Sequence, residues 1–475
     1  MKALQTSLIT LLVKHCPQMP LISLQPGSDI IGNMNRRIIQ AALVLLLIVL
    51  SLTAWALSPK ILAFQPEEGP LHGQQSVQIT FSRSMQSESV RSHLTFKPET
   101  DITLSWDEGG KNLTVQPEEH WPPGSTVTLA VRSGALSRIR LPLLSTRRVG
   151  LEVSPTLLAY LWPADDTSGL YVLNPETGES ARLISHPEEI QDYTVSPDGL
   201  FVYFSSFSPE GNSIVYRHNR LTETYHPVIN CGAGVCQNPG LSQEGEFLLY
   251  EHILQQPQEN PGIYLYSLED KNALQIGPPD DHLTDPVWGP EGWISYYNRS
   301  QEHYQLLNLK TDEEITFPNQ TGGPGTWSSR GPAFVTTEIY NLSDTLAPRH
   351  LLHFQPENGT LIDLTQDNFL EDANPVYSPS GARLAFGRKS LEPSTWSPGR
   401  QLWIRENPSG DAYPLTNDVD YNHTAFSWHP TENQLAYVRY NQAELAEPPE
   451  IWLIDLTTGE NYRLIINGFA PQWIP

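Results

Sequence analysis

From about residue 150 onward the chain repeats itself. An apolar or aromatic residue, a tight turn and a second apolar run recur at Val153-Ser154-Pro155, Val195-Ser-Pro-Asp-Gly199, Leu241-Ser-Gln-Glu-Gly245, Trp288-Gly-Pro-Glu-Gly292, Trp327-Ser-Ser-Arg-Gly331, Tyr377-Ser-Pro-Ser-Gly381 and Trp428-His-Pro-Thr-Glu432. An eighth start, Trp473-Ile474-Pro475, lies at the far end of the array. Successive starts are separated by as few as 39 residues (Gly289 to Ser328) and as many as 51 (Ser378 to His429). That is the length of a four-stranded blade. Behind each start lies a short apolar strand such as Val202-Tyr-Phe204 or Leu384-Ala-Phe386, then a strand running into a polar hairpin, as in Ile451-Trp-Leu-Ile-Asp-Leu-Thr-Thr-Gly-Glu460, then a fourth short strand. One such sheet cannot bury both faces, so the array predicts a ring of sheets packed side by side. The spacing gives seven blades, with six or eight the neighbouring alternatives. Pro471-Gln-Trp473 is expected to lie in the first blade beside residues 149–153, closing the ring and removing its free edge. With 41 Pro and 32 Gly in 475 residues and 17% charged residues, the composition fits a turn-rich all-β body and excludes a helical bundle or coiled coil.

The Ser-Pro-Asp-Gly turn of Ser196–Gly199 and the aromatic strands behind such turns resemble the WD40-like repeats of the TolB family and of the propellers attached to prolyl oligopeptidase-type peptidases. The resemblance covers the last two thirds of the chain and implies a TolB-like β-propeller over residues 150–475. It brings no chemistry with it. The peptidases keep their catalytic residues in a separate hydrolase domain, and no Gly-x-Ser-x-Gly elbow occurs in this sequence.

Strand alternation places the a–b and c–d turns of every blade on one face and the b–c and d–a connections on the other. The first set is short and uniform. The second is long and varied: Glu251 to Gly262, Glu338 to Pro348, Arg388 to Gly399 and Tyr440 to Pro449. Variable loops on a rigid frame are where recognition is usually built. The d–a connections also bring carboxylates toward the channel mouth: Glu188, Glu189, Asp192, Asp280, Asp281, Asp285, Glu371, Asp372, Asp418 and Asp420. Such a ring could attract a basic partner or hold a hard cation such as calcium. No other cofactor is expected. Cys231 and Cys236 share one loop and suit a local disulfide, with free thiols or metal ligation as alternatives.

Ahead of the repeats, Ser76-Val-Gln-Ile-Thr-Phe81, Asn112-Leu-Thr-Val115 and Thr126-Val-Thr-Leu-Ala-Val131 alternate with period two between Pro and Gly clusters, which predicts a small β-sandwich over residues 60–136. Ile79-Thr-Phe-Ser-Arg-Ser-Met85, followed by Leu113-Thr-Val-Gln-Pro117 and Trp121-Pro-Pro-Gly-Ser-Thr-Val127, resembles the bacterial immunoglobulin-like domains of surface-layer proteins. Such modules act as spacers or adhesive units. Residues 137–149 are read as a linker.

Residues 37–57 are read as a membrane span: Ile38 to Leu57 carries no charge and is preceded directly by Arg36 and Arg37. Twenty helical residues rise about 30 Å, enough to cross a membrane. The arginines place a short segment, residues 1–36, in the cytoplasm and the body outside it. Ala54-Trp55-Ala56 has the form of a signal-peptidase site, so secretion after cleavage is the alternative, and Met34 is a second candidate start. Beyond residue 58 the chain has 52 acidic and 25 basic residues, a balance that disfavours nucleic acid. The sequence thus describes a membrane-tethered, extracytoplasmic binding or scaffold protein without enzymatic activity, whose partner is a protein or polysaccharide. A carbohydrate-active or other hydrolytic propeller enzyme using channel-mouth carboxylates is the alternative.

Overall fold

The computed structural model describes residues 29–66, 70–118, 120–232, 234–253, 260–343, 346–406 and 410–475. Most of the expected cytoplasmic segment, residues 1–28, therefore lies outside the described residues. Helix α1, Asp29–Leu57, starts ahead of the apolar run and continues through it. The stretch Ile38–Leu57 has mean hydropathy 2.5 and is not buried among the described residues, with large side chains such as Leu45 63% exposed.

The next unit is a two-sheet sandwich. One sheet has the order Ile61–Gln65, Val77–Phe81, Asn112–Pro117, Ile102–Trp106; the other has Leu94–Lys97, Thr126–Val131, Arg147–Glu152. The alternation seen in the sequence supplies its core, in which Val77, Ile79, Phe81, Leu113, Val115, Val127 and Leu129 are all essentially inaccessible. Short helix α2, Ser87–His93, contributes Val90 to that core, and Met85 completes it. The buried indole of Trp121 donates from Nε1 to the Gln75 carbonyl at 2.7 Å. Here the domain boundaries expected from sequence need correcting. Arg147–Glu152 belongs neither to a linker nor to the propeller: it is paired along its length with Thr126–Val131, and Leu151 and Val153 sit in the sandwich core.

Seven four-stranded antiparallel sheets follow, so the blade count is seven. In blade 2 the strands a to d are Ile190–Val195, Phe201–Phe207, Ser213–Asn219 and Thr224–Asn230, and blades 3 to 7 repeat the pattern. Blade 1 is composite. Strands b to d are Leu157–Trp162, Gly169–Leu173 and Ser180–Ile184, while strand a is the C-terminal Phe469–Ile474. Ring closure therefore occurs, but against Leu157–Trp162 and not residues 149–153, which the sandwich has already taken.

The recurring tryptophans join neighbouring blades. Indole Nε1 donates to the preceding blade from Trp288 (Gly240 carbonyl, 2.9 Å), Trp327 (Ser295 Oγ, 2.9 Å), Trp428 (Val376 carbonyl, 3.1 Å) and Trp473 (Ser427 carbonyl, 3.0 Å). Each indole thus satisfies its one donor while its ring fills the space between sheets.

The sandwich sits on the tight-turn face of the propeller. Gly73 lies against the Asp198 carbonyl and Pro475, at the end of the sandwich where Leu71 pairs with Val153 and His72 Nδ1 is 2.9 Å from Ser154 Oγ. Gly73 has φ of 37°, and an added Cβ would stand 2.8 Å from the Asp198 oxygen, so both backbone and space demand glycine. Farther round, Pro123 and Gly124 border a cavity of about 300 Å³ shared with Thr156, His429 and Trp473 of blades 1 and 7. The opposite, loop-rich face is left uncovered by the sandwich.

Candidate functional site

Strand a of several blades carries a one-residue bulge near the loop-rich end. The bulged residue is held at positive φ in Asn238 (51°), Asp285 (55°), Asn374 (55°), Ala425 (49°) and Ala470 (49°). A bulge frees a backbone N–H from the ladder, and that donor then needs another acceptor. Carboxylates supply two of them. Asp192 Oδ2 accepts from the Asn238 N–H at 2.9 Å, and Glu251 Oε1 accepts from the Asp285 N–H at 2.6 Å. Glu251, which in sequence marks only the start of a loop, is 2% exposed and also accepts from Gln237 Nε2 (2.7 Å) and Asn238 Nδ2 (2.9 Å).

Asp192 and Asp285 each lie close enough to Glu251 to feel its charge. Burial, with the nearby Glu251 charge adding to it, raises the Asp192 carboxyl to about 6 despite the N–H bonds that oppose the shift. Asp285 is raised for the same reasons, burial first. The folded protein therefore holds a proton on Asp192 that an unfolded chain releases near 3.8, and the resulting penalty grows as pH climbs from about 4 to 6. Asp192→Asn is expected to unfold like the parent at pH 4 and to be more stable above pH 6, by at most about 3 kcal/mol. Urea titrations of both proteins across that range measure the difference.

The remaining predicted carboxylates do not form a free ring. Asp372 is fully buried and held by Arg388 through Nε (2.7 Å) and Nη2 (2.6 Å). Glu371 is paired with Arg400 and with Lys389. Asp418 bonds to Arg439 Nη1 at 2.6 Å. Asp281 accepts from Asn298 Nδ2 (2.7 Å), and Glu189 accepts from Ser168 Oγ (3.3 Å). Asp280 and Asp420 are exposed and Glu188 partly so. The expectation of an open acidic ring is thus corrected: cations from strands b and loops b–c neutralise Glu371, Asp372 and Asp418. Among the described residues no group of three or more His, Cys, Asp or Glu side chains could hold a metal ion. Cys231 and Cys236 are joined as a disulfide with Cα atoms 6.0 Å apart, bracing the connection between blades 2 and 3.

The loop-rich face also exposes large apolar side chains. Phe369 (44% exposed), Trp396 (58%), Val419 (54%) and Leu445 (77%) lie on the d–a and b–c connections of blades 5 to 7. These loops are tied together by backbone bonds from Leu391 N to the Phe369 carbonyl (2.7 Å), Gly399 N to Val419 (3.2 Å) and Gln442 N to Asp420 (2.7 Å). The four side chains therefore follow one rim, interspersed with the carboxylates Asp367, Asp420, Glu444 and Glu447. Exposed large apolar side chains gathered with polar neighbours mark interaction surfaces. The sequence does contain a signal, a Trp and a Leu inside the Pro- and Glu-rich loops Pro393–Pro398 and Glu444–Pro449, but it carries no periodicity to distinguish it.

Fold and rim together define a two-domain β-protein in which an immunoglobulin-like module carries a propeller. Residues 57–140 match the family model of the bacterial Ig-like domain. Solved structures similar to the chain include TolB from Acinetobacter baumannii (12% identity, 82% of this chain and 86% of that one, TM-score 0.42) and the propeller domain of the trilobed protease from Pyrococcus furiosus (10%, 72% and 93%, 0.47). An oligogalacturonate lyase from Vibrio parahaemolyticus is a third (18%, 58% and 73%, 0.40). At these identities the likeness is one of architecture. No curated protein sequence matches the chain.

Proposed function

We propose that this is a membrane-anchored, extracytoplasmic binding protein that captures a protein partner on the loop-rich rim of blades 5 to 7. The observation that carries this reading is the pairing of two faces: the sandwich occupies the tight turns, while the opposite rim presents Phe369, Trp396, Val419 and Leu445 to solvent. Helix α1 anchors the chain, since its Ile38–Leu57 surface finds no cover among the described residues and its length matches a hydrocarbon core. The acidic residues around the rim favour a partner with basic groups bordering an apolar centre. A hydrolytic role has less support, because Asp192 and Glu251 are engaged by bulge amides and Asp372 by an arginine fork.

A photo-crosslinking amino acid placed at Trp396 or Leu445 in membranes is expected to trap a discrete partner. The same label at Leu274, 64% exposed on the outer strand of blade 3, is expected to trap none. Trp396→Ala with Leu445→Asp should weaken capture by at least about tenfold, since central aromatic and aliphatic anchors carry ~2 kcal/mol or more. Equal crosslinking from all three positions would refute the assignment.

A further inference from the structure

The immunoglobulin-like domain has two ends of different character. One end, formed by Leu71–Gly73, Trp121–Gly124 and Val153–Ser154, seats on the propeller. The other receives α1. Ser58 and Pro59 are buried, and the first strand begins at Ile61, so the helix enters the domain with almost no tether. The same end is marked by Ser82 N donating to the Lys60 carbonyl (2.8 Å) and Arg138 N to the Ser84 carbonyl (2.9 Å).

Strand register gathers cations there. Val131 faces Arg147 at the helix end of its sheet, and Thr126 faces Glu152 at the propeller end. Arg132, Arg138, Arg140, Arg147 and Arg148 consequently collect beside the helix junction, all exposed and none with an ion pair or side-chain hydrogen bond among the described residues. No Asp or Glu occurs between His120 and Leu151, in a chain with 53 acidic residues. Ile139 (60% exposed) and Leu144 (54%) stand among the arginines. From this end a cavity of about 430 Å³ opens on the sheet, lined by Lys97, Arg132 and Arg148 with the hydroxyl-bearing Thr128 and Thr146.

We propose that this end of the domain docks on anionic phospholipid headgroups of the membrane that α1 enters, with the arginines on the phosphates and Ile139 and Leu144 at the headgroup–acyl boundary. Such docking rests on α1 being a retained anchor, as proposed above. Charge complementarity selects the occupant, because lipid phosphates are the nearest dense anions to a surface joined so closely to a membrane helix. The docking would hold the propeller at a fixed attitude instead of letting it swing about residues 58–60.

The test is hydrogen exchange of residues 137–148 in the full chain reconstituted into phosphatidylcholine vesicles, with or without phosphatidylglycerol. Exchange at least about tenfold slower in the anionic vesicles, lost in high salt, is expected. Replacing Arg138, Arg140, Arg147 and Arg148 by Gln should abolish the difference. Equal exchange in both vesicle types, in protein that resists carbonate extraction, overturns the docking alone. Release of the chain by carbonate overturns the anchor and the docking with it. The comparison of lipids uses the unaltered chain, and so decides between these outcomes even where the substituted protein misfolds.

Discussion

Deleting Phe469–Pro475 is expected to abolish the cooperative unfolding of the propeller and leave a species that self-associates. The deletion removes strand a of blade 1, whose partners are Leu157, Leu158, Ala159 and Leu161. Ile474 is fully buried against blade 2, and Trp473 is packed with Leu158, Ala436 and Leu453 of blades 1 and 7. Losing both opens the inner edge of a strand whose residues Leu158 to Leu161 are almost entirely buried. A long apolar edge of that kind pairs readily with another chain. Calorimetry and light scattering of the truncated protein check the expectation; a sharp transition from a monodisperse species would show that blade 1 holds with three strands.

The second large effect concerns Arg388. Its guanidinium makes two bonds to Asp372, and Asp372 Oδ2 also accepts from Thr365 Oγ1 at 2.7 Å. The cation lies 5.1 Å from the Phe386 ring centroid and 4.9 Å from that of Trp403. Arg388→Met leaves a buried carboxylate without its counter-ion, and the expected loss is about 3–5 kcal/mol in chemical denaturation. Pairing it with Asp372→Leu should recover most of that loss, because the penalty comes from the stranded charge. If the double variant is as weak as the single one, packing of the guanidinium and not its charge is what matters.

This pair also illustrates what can be read from sequence and what cannot. The repeat is legible because every blade must fit the same two neighbours, which forces an aromatic or aliphatic strand and a tight turn to return at blade spacing. The sandwich core is legible for a related reason, since Ile79, Phe81 and Met85 alternate or cap along one buried face. The carboxylate partners are not. Counting outward from the Ser378–Gly381 turn, Tyr377 opposes Leu384, and an unbroken ladder would set Asp372 against Lys389. The bulge between Ala373 and Val376 shifts the register by one and sets it against Arg388. Similar bulges hide the role of Glu251, whose acceptor function depends on the freed N–H of Asp285 in the next blade. Arg147–Glu152 is obscure as a strand because two arginines and Gly150 interrupt its alternation, and only Val149 and Leu151 hint at a buried side.

Closure by the last strand has a temporal side. Leu157–Trp162 emerges from the ribosome some 300 residues before its partner Phe469–Ile474, an interval of roughly 15–60 s at ordinary elongation rates. During that wait the inner blade is a half-built wall. If α1 commits the chain to export as it is made, the ring has to be completed on the far side of the bilayer, after the final segment has crossed. Extracytoplasmic chaperones, and not cytoplasmic ones, would then be the natural guardians of this protein's unfinished state.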